Sequence, residues 1–261
     1  MTYWCEDALG NGWQQVYEEI DAVDTDAPHT TKTVYEPSVL VDENCDPNTQ
    51  ICNYWVTNET LINLECEDVE PHPIGGETLY WREYRVNETP GDWNVEEGGN
   101  TEFHFNEDCN HKVEWYCTDM LGNSEGTMEN PMVEYDNVDT AGPEIVKFVS
   151  DDTVQPLDVV EICANITDFK QTGDLGVGVD ESTIDAWLEL GTDPMHVSLS
   201  NVEGNTYCGN WTAPIITQGC HNYRCVWELW VEAEDLLGNY NIEDGIEIIV
   251  DNADPEILYV L

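Results

Sequence analysis

"VEWYCTDMLGN", residues 113–123, holds the pattern that decides the fold of this 261-residue chain. Val113, Trp115 and Cys117 alternate with Glu114, Tyr116 and Thr118, the two-residue period of a strand with one buried face. The run ends in Asp-x-Leu-Gly-Asn. There Gly supplies a left-handed backbone position and Asp or Asn bonds nearby N–H groups, so the segment reads as a tight turn between two strands. The same element closes "YWCEDALGN" at Asn11 and "WVEAEDLLGN" at Asn239, with its first aspartate at Asp7, Asp119 and Asp235.

A second marker keeps the same beat. "VDTDAPHT" starts at Val23, "VDTAGPEI" at Val138 and "VDNADPEI" at Val250, and their prolines, Pro28, Pro143 and Pro255, are 115 and 112 residues apart. Such a period marks tandem repeats. Proline fixes φ and lacks an N–H, so it suits a seam or a strand edge. The spacing predicts the end of one module over 1–22, complete modules over 23–139 and 140–251, and the first strand of another over 252–261. The partial modules at both ends predict a segment of a longer array joined head to tail to neighbouring repeats. Strand donation between copies is the alternative.

Between the markers, short alternating runs rich in Val, Ile, Thr, Trp and Tyr recur between clusters of Gly, Pro, Asn and Asp, and helical periodicity is nearly absent. This predicts an all-β chain of tandem sandwiches, about seven strands per module. "LINLECED" puts Ile62, Leu64 and Cys66 on one face. In "VVEICANIT", Val160, Ile162, Ala164 and Ile166 face inward and Cys163 outward. In "NTYCGNWT", Tyr207, Gly209 and Trp211 face inward and Cys208 outward. The same parity turns Asn165 and Asn210 outward.

Composition narrows the function. Seven basic residues against 55 acidic ones leave a net charge of −48. Nucleic-acid binding needs basic patches, and anionic lipid would repel this chain. No 18-residue apolar run predicts direct membrane insertion. Ten cysteines without a Cys-x-x-Cys pair point to disulfides and an oxidising, extracellular or cell-surface setting. Sequons at Asn58, Asn87, Asn165 and Asn210 are candidate glycosylation sites. Cys220 and Cys225 flank "HNYR", and Cys45 and Cys52 flank "DPNTQI"; each pair could staple a hairpin. The partners of Cys5, Cys45, Cys52 and Cys109 stay open.

Cys66, Trp81 fifteen residues later, and Cys117 with an aromatic two positions before it resemble the immunoglobulin core of strands B, C and F. The three Val-Asp-x-x-x-Pro seams, the three Asp-x-Leu-Gly-Asn turns, "CEDVEPHPIGG" and "GNWTAP" together resemble tandem immunoglobulin-like repeats of large prokaryotic (archaeal) cell-surface proteins. The resemblance implies a Cys66–Cys117 bridge. It also implies that strands B and E are neighbours, which would join Cys163 to Cys208. Ile166 and Ala233 replace the core cysteines in the second module, so there plain apolar packing is expected.

Candidate chemistry is sparse. The scattered histidines form no recognised catalytic motif, and enzyme activity and an organic cofactor are not expected. His104, Cys109 and His111 lie close in sequence, but an oxidising compartment disfavours zinc there. Calcium is the one cofactor expected, because it takes six to eight oxygen ligands and carboxylates crowd the seams. The candidates are Asp24, Asp26, Asp139, Asp251, Asn252 and Asp254 at the seams, Asp119 and Asp235 in the turns, and Asp168, Asp174 and Asp180 in "TDFKQTGDLGVGVDEST". The competing explanation is that the turn aspartates only shape turns and that the acidic surface reflects hydration in a salty habitat.

The resemblance implies a non-catalytic structural repeat of an extracellular array: surface protein, filament, stalk or surface-layer component. One alternative is an adhesin or carbohydrate-binding module that meets surface glycans through loop aromatics, with Trp13, Tyr54, Trp55 and Trp93 as candidates. Another is an accessory region of a secreted enzyme.

Overall fold

A computed structural model describes residues 2–3, 7–9, 17–18, 23–68, 75–191, 193–215, 220 and 224–252. Cys5, Trp13, Asp254 and all but Asn252 of the strand expected over 252–261 lie outside the described residues. Among the described residues there are 20 strands and no helix, so no helix is long and apolar enough to cross a membrane.

Near the N-terminus, β1 (Thr2–Tyr3) pairs antiparallel with β2 (Tyr17–Glu18). The next strands in order are β3 (His29–Val34), β4 (Ser38–Leu40), β5 (Tyr54–Val56), β6 (Ile62–Glu67), β7 (Thr78–Arg85), β8 (Asn94–Glu97), β9 (Asn100–Phe103), β10 (Asn110–Thr118) and β11 (Met132–Val138). They are followed by β12 (Glu144–Val149), β13 (Thr153–Val154), β14 (Val159–Thr167), β15 (Val179–Leu190), β16 (Asp193–His196), β17 (Ser200–Glu203), β18 (Thr206–Thr212), β19 (Arg224–Asp235) and β20 (Tyr240–Asp251).

By contact the chain forms two compact units. One comprises Met1–Val34, Leu61–Phe103 and Lys112–Glu134; the other comprises Tyr35–Thr60, His104–His111 and Tyr135–Leu261. Segments 35–60 and 104–111, which the repeat spacing assigns to the first module, thus belong to the unit that holds the second. Several bonds inside that unit account for this. Thr140 donates its N–H and hydroxyl to Asp108 Oδ2, both at 3.1 Å. Lys170 Nζ donates to Asn110 Oδ1 at 2.6 Å and lies 5.4 Å above the Trp55 ring.

The first unit is a sandwich made by alternation. β3, β6 and β9 form one sheet. β7, with β8 on its edge, belongs to the other, together with β10 from Lys112 onward and β11 as far as Glu134. Ile62, Leu64, Leu79 and Val113 are fully buried, and Trp115 is 2% exposed. Cys66 and Cys117 bond across the two sheets, with Cα atoms 6.3 Å apart. Trp81 stacks on Phe103 with ring centroids 4.7 Å apart.

The second unit shows the immunoglobulin-like order most completely. β12, β14, β18 and β17 form one sheet; β13, β20, β19, β15 and β16 form the other. In strand letters this is ABED against A′GFCC′. β13 runs parallel to β20 and the remaining pairs are antiparallel. Val160, Ile162, Ala164, Ile166, Tyr207 and Trp211 meet Ala186, Leu188, Trp227, Leu229, Val231 and Ala233 between the sheets. Burying each large aliphatic chain contributes about 1.5–3 kcal/mol. Ile166 and Ala233, each 1% exposed, fill the place of the first unit's core disulfide with carbon packing.

β4 and β5 make an antiparallel hairpin, and its second strand, β5, runs parallel to β11. Tyr54 and Trp55, read from sequence as loop aromatics, therefore lie in β5. Their flanking turns, built on Asp42 and Asp46, made the segment look loop-like. The Cys45–Cys52 disulfide closes the hairpin's loop, with Cα atoms 5.8 Å apart.

Candidate functional site

The Asp-x-Leu-Gly-Asn segments that begin at Asp119 and Asp235 are turns held by their own aspartates. Asp119 Oδ1 accepts the N–H groups of Leu121 and Asn123, each at 2.8 Å, and Asn123 Nδ2 donates to Asp119 Oδ2 at 2.6 Å. Asp235 makes the same bonds with Leu237 and Asn239, at 2.8, 2.8 and 2.7 Å. Gly122 and Gly238 take φ of 89° and 83°, which L side chains rarely adopt. At the N-terminus, Asp7 Oδ1 accepts Leu9 N–H at 2.9 Å.

The asparagine of each turn also explains why turn and seam recur together. Asn123 Nδ2 donates to the Asp24 carbonyl at 3.4 Å, and Asn239 Nδ2 to the Asp139 carbonyl at 3.2 Å. Each repeat thus ties its entering chain to its own last turn. Replacing Asn239 with alanine removes both bonds, one of them to a carboxylate. It is expected to cost about 2 kcal/mol, measured as a lower urea midpoint for the second unit. An unchanged midpoint would show that the turn does not hold the seam.

These ties bring carboxylates together. Asp139 from the seam, Asp168 just after β14 and Asp235 from the turn each offer an oxygen, all within 4.8 Å of one another. All three are buried, at 0%, 5% and 2% exposure. Asp139 Oδ1 accepts Ala141 N–H and Oδ2 accepts Val177 N–H. Asp168 Oδ2 accepts Gly178 N–H at 2.8 Å, while Oδ1 is buried without a partner. Gly176 is glycine for a steric reason, since a Cβ there would collide with Asp168 Oδ2 and Asp139 Oδ2.

Burial raises the pKa of all three. Asp168 is pushed up to about 6, chiefly by burial and further by the charges of Asp139, Asp235 and Asp108, against the opposing Gly178 N–H. Asp139 is raised by burial against the N–H groups of Val177 and Ala141. Asp235 is raised by burial against the bonds from Asn239 and Leu237.

The first unit repeats the arrangement with Asp24, Asp68 and Asp119. Asp24 is 8% exposed, and its Oδ2 is buried without a partner. Burial would raise the Asp119 pKa, but the bonds from Asn123, Gly122 and Leu121 outweigh it and lower the value.

Asp68 escaped the sequence reading, although it stands two residues after Cys66 as Asp168 stands two after Ile166. Among the described residues, the other expected calcium ligands lie outside both trios. Asp26 and Asp174 are exposed. Asp180 bonds Ser182 in its own turn. Asp251 lies 3.6 Å from Arg224, and Asn252 is exposed. The loop expected to bind through Asp168, Asp174 and Asp180 together contributes Asp168 alone, because its turns point the other two elsewhere.

The remaining candidates fall as follows. Cys163 and Cys208 are direct cross-strand partners and are bonded, and Cys220 is bonded to Cys225. Cys109 is outside these bridges, with Sγ 3.1 Å from His111 Nε2. His104 instead bonds the Thr60 carbonyl, so the three candidate zinc ligands are not gathered. Asn58, Asn87, Asn165 and Asn210 are all exposed.

No protein-family model and no curated protein matches the chain. Among solved structures it is similar to a chimeric titin Z1Z2 carrying a peptide from decorin, at 13% identity over 88% of this chain and 100% of that one, with a TM-score of 0.28. It is similar to FdeC, an Escherichia coli adhesin, at 12% identity over 88% and 66%, with a TM-score of 0.41. It is also similar to fibronectin(III)-like modules of Clostridium thermocellum CbhA, at 10% identity over 85% and 100%, with a TM-score of 0.32. Likeness this distant carries no functional weight. The tandem β-sandwich fold rests on the chain's own strand order, ABED against A′GFCC′ in the second unit.

Proposed function

We propose that this chain is a non-catalytic structural repeat of an extracellular array, joined head to tail to copies of itself or to neighbouring repeats. The observation that carries this is the tie between seam and turn, made once in each unit by Asn123 and Asn239. Such a tie fixes where the chain enters each sandwich and suits a shaft built by repetition. Four disulfides among the described residues support an oxidising compartment. The charge of −48 supports a surface that stays hydrated and spaced from its neighbours.

A second reading, adhesion to surface glycans, draws on one feature of the first unit. Tyr80 stacks on Tyr116 at 4.5 Å, Trp93 meets Tyr116 edge-on at 5.1 Å, and Arg82 lies 4.3 Å over Trp93. Tyr80 and Trp93 are partly exposed beside the buried Tyr116, and rings so placed can pack against sugar faces. However, Arg82 is also tied to Glu114, as a purely structural ladder would be.

Antibodies against the folded chain test the main reading on intact and permeabilised source cells. Equal labelling of both, with the epitope recurring along a surface layer or filament in electron micrographs, is expected. Labelling only after permeabilisation would overturn an extracellular role. Saturable binding to immobilised glycans, lost on Trp93→Ala, would favour adhesion instead.

A further inference from the structure

We propose that Asp139, Asp168 and Asp235 form a buried site for a hard divalent cation of the calcium type, and that Asp24, Asp68 and Asp119 form its counterpart in the first unit. The donors are carboxylate oxygens alone, which suit calcium, magnesium or manganese and not the softer metals that prefer nitrogen or sulfur. Calcium–oxygen bonds of about 2.3–2.6 Å put ligands on opposite sides of the ion about 5 Å apart. The oxygens of each trio lie within 4.8 Å of one another.

Acidic residues cluster by chance in a chain this acidic, so the proposal stands on what the second unit does with its trio. Asp168 is 5% exposed and keeps Oδ1 without a partner inside the protein. A buried carboxylate oxygen left unbonded is costly unless something else satisfies it. Asp108 also has a buried, unpartnered Oδ1 and lies near enough to add its charge to Asp139 and Asp168. Among the described residues, the cation named as acting on Asp139 is Lys170, whose Nζ is committed to Asn110 and the Trp55 face. One lysine against four carboxylates leaves negative charge uncompensated, and a divalent ion would neutralise much of it.

Gly176 keeps side-chain atoms out of the space beside Asp168 and Asp139. An open cleft of about 470 Å³, lined by Thr140, Gln171, Gly238 and Asn239 among others, brings solvent to the seam next to Asp139. The repetition is a separate argument. Asp24 also carries a buried, unpartnered oxygen, in a trio drawn from the same three places in the repeat: seam, end of the second sandwich strand, and last turn. A turn-forming role accounts for Asp119 and Asp235 but not for Asp68 and Asp168, which lie outside the turns.

The test is calorimetric titration of the chelator-treated 261-residue chain with CaCl2 at fixed ionic strength. Saturable binding of two ions is expected. At a hundredfold excess over Kd, Tm should rise by about 5–10 °C, whereas NaCl of equal ionic strength supplies only general screening. Asp168→Asn, which keeps the shape and removes the charge, should leave near-UV circular dichroism native. It should weaken one of the two sites by about 100-fold or more. Asp174→Asn, on the same loop but exposed, should bind as the parent does.

Equal Tm responses to calcium and sodium, or a natively folded Asp168→Asn chain that still binds two ions, would overturn the proposal. If Asp168→Asn does not fold, anomalous diffraction from the parent chain crystallised with calcium decides. A peak between Asp139, Asp168 and Asp235 supports the site, and peaks confined to the surface overturn it.

Discussion

Replacing Glu134 with alanine is expected to destabilise the first unit by about 3–5 kcal/mol. Glu134 and Lys32 form an ion pair inside that sandwich, with side chains 2% and 6% exposed. They come from β11 and β3, which belong to different sheets. Removing one partner leaves the other charge in a dry interior, and that desolvation is the large term. The pair itself need not stabilise, since its mutual attraction only offsets the cost of burying both charges. Lys32→Met combined with Glu134→Met is therefore expected to be neutral or better. Urea unfolding of the two variants measures both effects. A single-variant loss no larger than about 0.5 kcal/mol, the size of an ordinary surface change, would contradict the buried-pair account.

The second large effect concerns the bridge between the sheets of the first unit. Cys66 and Cys117 close a loop with a sequence separation of 51. In the chain-entropy description a loop of that length is worth about 4 kcal/mol. Cys163–Cys208, separated by 45, is worth nearly the same, whereas Cys45–Cys52 and Cys220–Cys225, separated by 7 and 5, are each worth about 2 kcal/mol. Cys66→Ala with Cys117→Ala should lose the entropic stabilisation and also leave a small void. Cys66→Ile with Cys117→Ala imitates Ile166 and Ala233 of the second unit and should lose less, because the isoleucine restores packing. Equal losses from the two double variants would show that packing at this position contributes nothing.

The sequence was most legible where one residue decides one face. Alternation in "VVEICANIT" and "NTYCGNWT" sets Ile162 and Tyr207 inward and Cys163 and Cys208 outward, and the structure places those cysteines directly opposite each other. Parity is local, so it survives whatever the rest of the chain does. The aspartate trios were legible only in part. Asp119, Asp235, Asp24 and Asp139 stand out because their motifs repeat. Asp68 and Asp168 stand out only once the two second strands are laid over each other. Asp108 carries no motif and reaches the trio through a loop whose path no periodicity describes. Asp174 and Asp180 failed for the opposite reason: they are near Asp168 in sequence, but each is used up by a turn of its own. The β4–β5 hairpin was hidden because its strands have only three residues each, too short for alternation to show.

The most direct test of the tandem-sandwich account is non-reducing peptide mapping of the protein isolated from its source. The account predicts four linked pairs: Cys45 with Cys52, Cys66 with Cys117, Cys163 with Cys208, and Cys220 with Cys225. The second of these joins two sheets of one sandwich, and the third joins neighbouring strands on the outer face of another. Recovery of Cys66 or Cys117 as a free thiol, or of either bonded to Cys163 or Cys208, would contradict it.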